Sequence, residues 1–155
     1  MKRAALLSLA ALAALTALMT GCGGDAPAGE APMFPVEPTL TVTSATGRLK
    51  IDVWTAPSPP VKGVNALRLA FSDGGGGSVD AAEVSATAWM PAHGHGTSVK
   101  TTFTDAGGGV YEAPRIVFFM DGHWEIRGEL KESPGATDAF TESFVDSFVA
   151  AFDVL

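Results

Sequence analysis

The sequence predicts an all-β fold, a two-sheet antiparallel sandwich, on three observations. Apolar residues recur with a period of two through most of the chain beyond Leu40, as in strands with one buried face. Clusters of Gly, Pro, Asp and Ser break these runs at short intervals. Residues 40–155 are also about the length of one seven-stranded sandwich domain.

The first run is Arg48 to Val53, with Leu49, Ile51 and Val53 on one face. Pro57 to Gly63 then breaks the chain, and Leu67, Leu69 and Phe71 repeat the alternation. After the DGGGGS turn at Asp73–Ser78, Val84, Ala86, Ala88 and Met90 share a side. Val99, Thr101 and Phe103 do the same and predict another strand, followed by a reversal at Asp105–Gly109. Ile116 to Met120 is apolar on both faces, as a central sandwich strand is. Asp121-Gly122 turns the chain into Trp124–Lys131, which alternates again with its charges toward water. The C-terminal stretch has two readings. Phe140, Phe144, Phe148 and Phe152 recur every fourth residue, which fits a helix face over Asp138–Leu155 and equally a strand. The β context favours a closing strand over Ser147–Val154. The sum is an immunoglobulin-like antiparallel β-sandwich of about seven to eight strands.

The N-terminus reads as an export signal. Lys2 and Arg3 precede an uncharged run from Ala4 to Leu18, of signal length and short for a membrane span. Leu18-Met19-Thr20-Gly21-Cys22 resembles the lipobox of bacterial lipoproteins, with Met19 where Leu or Val is usual. The expected organisation is a signal peptide over residues 1–21, a lipidated Pro/Gly-rich tether over 22–39, and the sandwich over 40–155. Pro27, Pro32, Pro35 and Pro38 keep the tether irregular. As a coil, Gly23–Thr39 spans roughly 20–25 Å. Met33, Phe34 and Val36 supply an alternative in which part of it docks on the domain.

Composition excludes some functions. Cys22 is the single cysteine, so no intramolecular disulfide forms, and a lipid on its sulfur leaves no free thiol for redox or nucleophilic chemistry. Removing Lys2 and Arg3 with the signal leaves 8 basic against 17 acidic residues, a charge of −9. That argues against nucleic acid and anionic lipid surfaces as partners. No nucleophile elbow, zincin motif or P-loop is present, and the chain reads as a non-enzyme.

The chemistry-bearing stretches are Trp89-Met90-Pro91-Ala92-His93-Gly94-His95-Gly96 and Met120-Asp121-Gly122-His123-Trp124. Together they hold all three histidines. In an extended segment His93 and His95 project to one side, and Gly94 and Gly96 let the backbone bend around them. Neutral imidazole suits copper or zinc, and thioether suits Cu(I). One reading is therefore a surface metal site of His93, His95 and His123, with Met90 or Met120 as added ligands. The other makes the histidines structural, bonded to backbone, with Trp89, Met90, Met120 and Trp124 as packing.

Ala88–Gly96, Gly107-Gly108-Gly109-Val110-Tyr111 and Phe118–Glu125 resemble, in that order, the blocks of the YtkA-like domain, and more distantly FixH-type proteins. The resemblance spans Lys50–Lys131. It implies an immunoglobulin-like sandwich outside the cytoplasm. FixH-like proteins are associated with assembly of copper-containing respiratory oxidases, which points to copper as cofactor. A membrane helix of the FixH kind is missing from the domain, so a direct oxidase-assembly role is not implied. The expected function is a lipid-anchored extracytoplasmic binding module, binding copper through a His/Met site. The alternative is a non-catalytic envelope domain contacting a protein partner. Gly23 after the cysteine favours the periplasmic side of the outer membrane.

Cys22→Ser should abolish incorporation of labelled palmitate and release the protein from the membrane fraction. Equal labelling of wild type and variant would refute the anchor.

Overall fold

The computed structural model describes residues 31–133 and 144–155. The export segment, Cys22, the first part of the tether and Phe140 lie outside them. Among the described residues, nine strands form two antiparallel sheets, joined by turns where the Gly and Pro clusters fall. They are β1 (Leu40–Thr43), β2 (Leu49–Ala56), β3 (Gly63–Asp73), β4 (Ala81–Met90), β5 (His95–Gly96), β6 (Thr104–Gly107), β7 (Val110–Phe118), β8 (Gly122–Glu132) and β9 (Val145–Val154). The first sheet has the order β1-β2-β3-β7-β6 and the second β5-β4-β8-β9. The chain changes sheet between β3 and β4, between β5 and β6, and again between β7 and β8. β3 lies beside β7 in one sheet, and β4 beside β8 in the other. The count exceeds seven to eight because β1, β5 and β6 are very short.

The period-two pattern became buried faces. Leu49, Ile51, Val53, Leu67, Leu69 and Phe71 face Ala88, Trp124, Ile126, Phe148 and Phe152 in one cluster between the sheets. β7 departs from simple alternation for a local reason. Opposite β3 the register passes from Ala113↔Leu67 to Ile116↔Asn65, a bulge that accommodates Pro114. Proline has no N–H for a ladder, so it sits where pairing lapses. The bulge reverses the facing, and Tyr111, Ala113, Ile116 and Phe118 all become buried.

One predicted strand did not form. Val99–Phe103 carries no strand, although Thr101 is buried and Phe103 packs on the core. This stretch carries the chain from the second sheet to the first. Its last ladder-like bond is Thr97 N–H to Ala88 O at 2.9 Å, after which the Thr97 hydroxyl turns the backbone at Val99. The alternation records burial against the core without a neighbouring strand.

The C-terminal ambiguity resolves to a strand, since β9 pairs with β8 over ten residues. Phe148, Ala150, Phe152 and Val154 face inward. Gly128 stands opposite Phe148, and a side chain at Gly128 would run into the Phe148 ring. Among the described tether residues, Phe34 docks with the Arg68 guanidinium 4.2 Å from its ring centre, while Met33 and Val36 stay exposed.

β9 is an edge strand, and its two ends are tied to the first sheet. Ala45 N–H donates to Ser147 O (2.7 Å), and Leu155 bonds Pro60 O and Lys62 N–H. Asp146, only 2% exposed, reinforces the first tie. It accepts from the N–H of Thr46 (3.3 Å) and of Ser147 (2.9 Å) and from the Thr46 hydroxyl. Burial alone would raise its carboxyl. Hydrogen bonds from Ser44, Thr46 and Ser147 outweigh that and hold it below the usual carboxylate range. Because the folded value is the lower one, the stabilisation is complete above about pH 4 and is lost as pH falls through the folded value.

Asp146→Asn should therefore cost about 1–3 kcal/mol at neutral pH. It should also flatten the decline in stability below about pH 4. Urea unfolding across pH checks both, and parallel pH profiles for the two proteins would contradict the assignment.

Candidate functional site

The histidine-bearing loop grows out of the end of β4. After Met90 the chain makes a 3₁₀ turn, Pro91–His93, whose proline occupies a position that needs no donor. Gly94 then takes the left-handed conformation (φ 64°, ψ 24°), and its N–H bonds Met90 O at 3.0 Å. The chain returns as β5, with His95 opposite Met90 and Gly96 opposite Trp89. Gly96 lies so close that a Cβ there would be 2.8 Å from Ala88 O and 3.2 Å from the Trp89 ring. Trp89 is covered in turn by Arg127, 4.6 Å above its ring centre, which pairs with Glu125 at 2.7 Å.

His93 and His95 are both exposed, with ring centres 5.7 Å apart and planes at 58°. They neighbour each other as expected, but for a different reason. The segment is not extended; a left-handed glycine between them folds the chain, and β5 brings His95 back beside His93.

The other sequence-derived residues are placed differently. His123 is the second residue of β8, and its Nδ1 pairs with Asp153 Oδ1 on β9 at 3.1 Å. Met90 is buried in the sandwich core, with its methyl against Gly122. Met120 is half-buried at the core margin, and its carbonyl accepts the Trp124 indole N–H at 2.9 Å. Among the described residues, no three His, Cys, Asp or Glu side chains gather as a metal site. The structure thus unites His93 with His95 and directs His123 to Asp153. Asp153 was missed in the sequence, where only the register of β8 on β9 would have revealed it.

The end of the sandwich that bears the loop also exposes apolar side chains. Met90 meets Gly122 at the β7–β8 turn, beside exposed Phe119. Gly63 pairs with Phe118, and the Pro60–Lys62 segment bonds Leu155. Val61, Phe119 and Leu155 are therefore exposed at the same end of the sandwich.

The profile of the YtkA-like family matches residues 43–129, more than half of the chain. This protein is a member of the YtkA-like family. The matched region runs from the end of β1 through most of β8 and includes the whole histidine loop. In this YtkA-like chain β9, with Phe148 and Asp153, lies beyond the match. No curated protein and no solved structure matches the sequence.

Burial of Met90 makes it a core residue whatever the loop binds. Met90→Ala should lower stability by about 2–5 kcal/mol in urea unfolding. A loss below about 0.5 kcal/mol would show that the loop root does not depend on this packing.

Proposed function

We propose that this YtkA-like domain is a non-catalytic, extracytoplasmic binding module that captures copper between His93 and His95. One observation carries the reading: the 5.7 Å separation of the two exposed imidazole rings. Two imidazoles on one ion, at metal–nitrogen distances of about 2.0–2.1 Å, have ring centres at most about 6.3 Å apart. The separation falls inside that limit, and rotation of the two exposed side chains would turn a nitrogen of each toward a common ion. Both side chains face solvent, so an ion has open access and open exit, which suits handling or delivery rather than storage. On this reading a lipid on Cys22 holds the module at the membrane, with the periplasmic side of the outer membrane favoured by Gly23.

A second reading has its own support. Val61, Phe119 and Leu155 are exposed at the end that bears the loop. Large apolar side chains grouped at one end suit contact with an envelope protein, with the histidines at its rim. The two readings are compatible if the partner is the source or the acceptor of the metal.

Isothermal titration of the full-length protein in detergent separates them. Wild type should bind one copper ion per chain. His93→Ala and His95→Ala should each cost at least about tenfold, or 1.4 kcal/mol. His123→Ala should cost less, because that ring is engaged by Asp153. Equal, weak binding by wild type and the His93/His95 double variant would end the metal reading and leave the partner contact.

A further inference from the structure

We infer that the end of the sandwich bearing Val61, Val64, Phe119 and Leu155 rests on a surface of zwitterionic phospholipid. The inference rests on the lipid anchor at Cys22 read above, and it seats lipid, rather than an envelope protein, on this end.

Exposed apolar side chains are concentrated here. Val61, Val64, Phe119 and Leu155 are 36–68% exposed. Their grouping follows from the pairing. Val64 stands opposite Val117 and Gly63 opposite Phe118, which brings Phe119 beside the Pro60–Lys62 segment. Leu155 N–H donates to Pro60 O at 3.2 Å, and Leu155 O accepts from Lys62 N–H at 2.9 Å. Asn65, only 1% exposed, stiffens the same segment. Its side chain accepts from Val61 N–H at 3.0 Å and donates to Val61 O at 2.6 Å. Among the described residues the opposite end exposes one large apolar side chain, Val145 at the start of β9. Apolar side chains grouped in this way and held by backbone bonds mark a surface that is covered in use.

Charge separates the two ends in the same sense. The exposed carboxylates of Asp73, Asp80, Glu83, Asp105 and Glu129 gather at the opposite end. Two of the cations there, Arg48 and Lys50, are already engaged by Glu132 and Asp52. At the apolar end Lys62 and Arg115 offset Asp121 and Asp153. Lipid phosphates repel the acidic end and accept the balanced one. The stem of Lys62, next to Val61, can lie along apolar surface while its ammonium reaches a phosphate. With no cationic excess, this end has no preference for anionic lipid.

The tether is seated on the domain and long enough for the contact. Phe34 stacks on Arg68, and Thr39 Oγ1 accepts from Thr55 N–H at 3.0 Å and meets Ser58 Oγ at 3.2 Å. Eleven residues, Gly23–Met33, remain between Cys22 and that seat. As a coil they span about 17–20 Å. Arg68 is five residues from Gly63, about 17 Å along β3. The apolar end therefore meets the bilayer without stretching the tether. Asp73 lies equally far from Arg68, so tether length permits either end and the surface chemistry selects the apolar one. Confinement by a short linker supplies an effective concentration of about millimolar, so a small patch suffices. A partner protein free in solution gains nothing from that confinement.

The test uses the full-length lipidated protein in phosphatidylcholine vesicles. Flotation with the vesicles reports the anchor. An environment-sensitive fluorophore on Val64→Cys or on Asp105→Cys reports contact, since acylated Cys22 leaves each variant one reactive thiol. Spin-labelled phosphatidylcholine should quench and blue-shift the Val64→Cys label and leave the Asp105→Cys label unchanged. Adding Val61→Asp and Phe119→Asp to the Val64→Cys protein should abolish the quenching, with flotation and far-UV circular dichroism retained. If that variant misfolds, the comparison of the two label positions still decides. Equal quenching at both positions, or at neither, with flotation intact would overturn the inference and leave the anchor standing. A blue shift at Val64→Cys without quenching would also overturn it, because a second copy or a partner protein then covers this end. Failure of the wild type to float would overturn the inference and the anchor together.

Discussion

Phe148 lies across Gly128, and the closure of the sandwich depends on that contact. β8 is central in its sheet and needs a neighbour on each side. β4 supplies one, and β9 supplies the other only because the strand facing Phe148 has no side chain at that position. A glycine inside a strand is normally a weakness, and here it creates the volume that an aromatic ring fills. Once β9 is seated, Ala150, Phe152 and Val154 complete the inner face, Trp124 is fully covered, and Asp153 comes opposite His123.

The same placement creates an edge that must be guarded. Ser147 and Leu155 direct their backbone groups away from β8: Ser147 O accepts from Ala45 N–H, Leu155 O accepts from Lys62 N–H, and Leu155 N–H donates to Pro60 O. By alternation Val149, Ala151 and Asp153 face outward too, with no backbone partner other than β8 among the described residues. An unprotected edge of this length invites pairing with other chains. Here the β1–β2 turn and the β2–β3 loop occupy both ends of the edge, so a long incoming strand collides with one or the other. Asp146 anchors the first of these ties inside the protein, which makes edge protection sensitive to acid.

At the opposite end of β4, tight backbone geometry does for the histidines what no long-range contact does. The Pro91 turn, the left-handed Gly94 and the close-packed Gly96 hold two imidazoles side by side at the surface. The arrangement keeps them exposed and leaves them short of ligands.

Local pattern determined much of this protein by itself. The two-residue period of Leu49-Ile51-Val53, Leu67-Leu69-Phe71 and Trp124–Lys131 dictates strands with one apolar face, because side chains on a strand alternate whatever the neighbours are. The Gly and Pro clusters dictate where the strands end. The His-Gly-His spacing dictates that two imidazoles share one turn. Tertiary structure decided the rest. Val99–Phe103 alternates like a strand, yet only the topology shows that it crosses between sheets with no partner to pair. Phe144, Phe148 and Phe152 fit a helix and a strand equally, and pairing with β8 selected the strand. His123 carries a carboxylate partner that only the register of β9 reveals, because Asp153 stands opposite it. Met90 shares the motif of the histidines but follows the inward parity of β4 into the core. Each of these outcomes rests on which segments lie next to each other, and a linear pattern of apolar and polar residues does not carry that information.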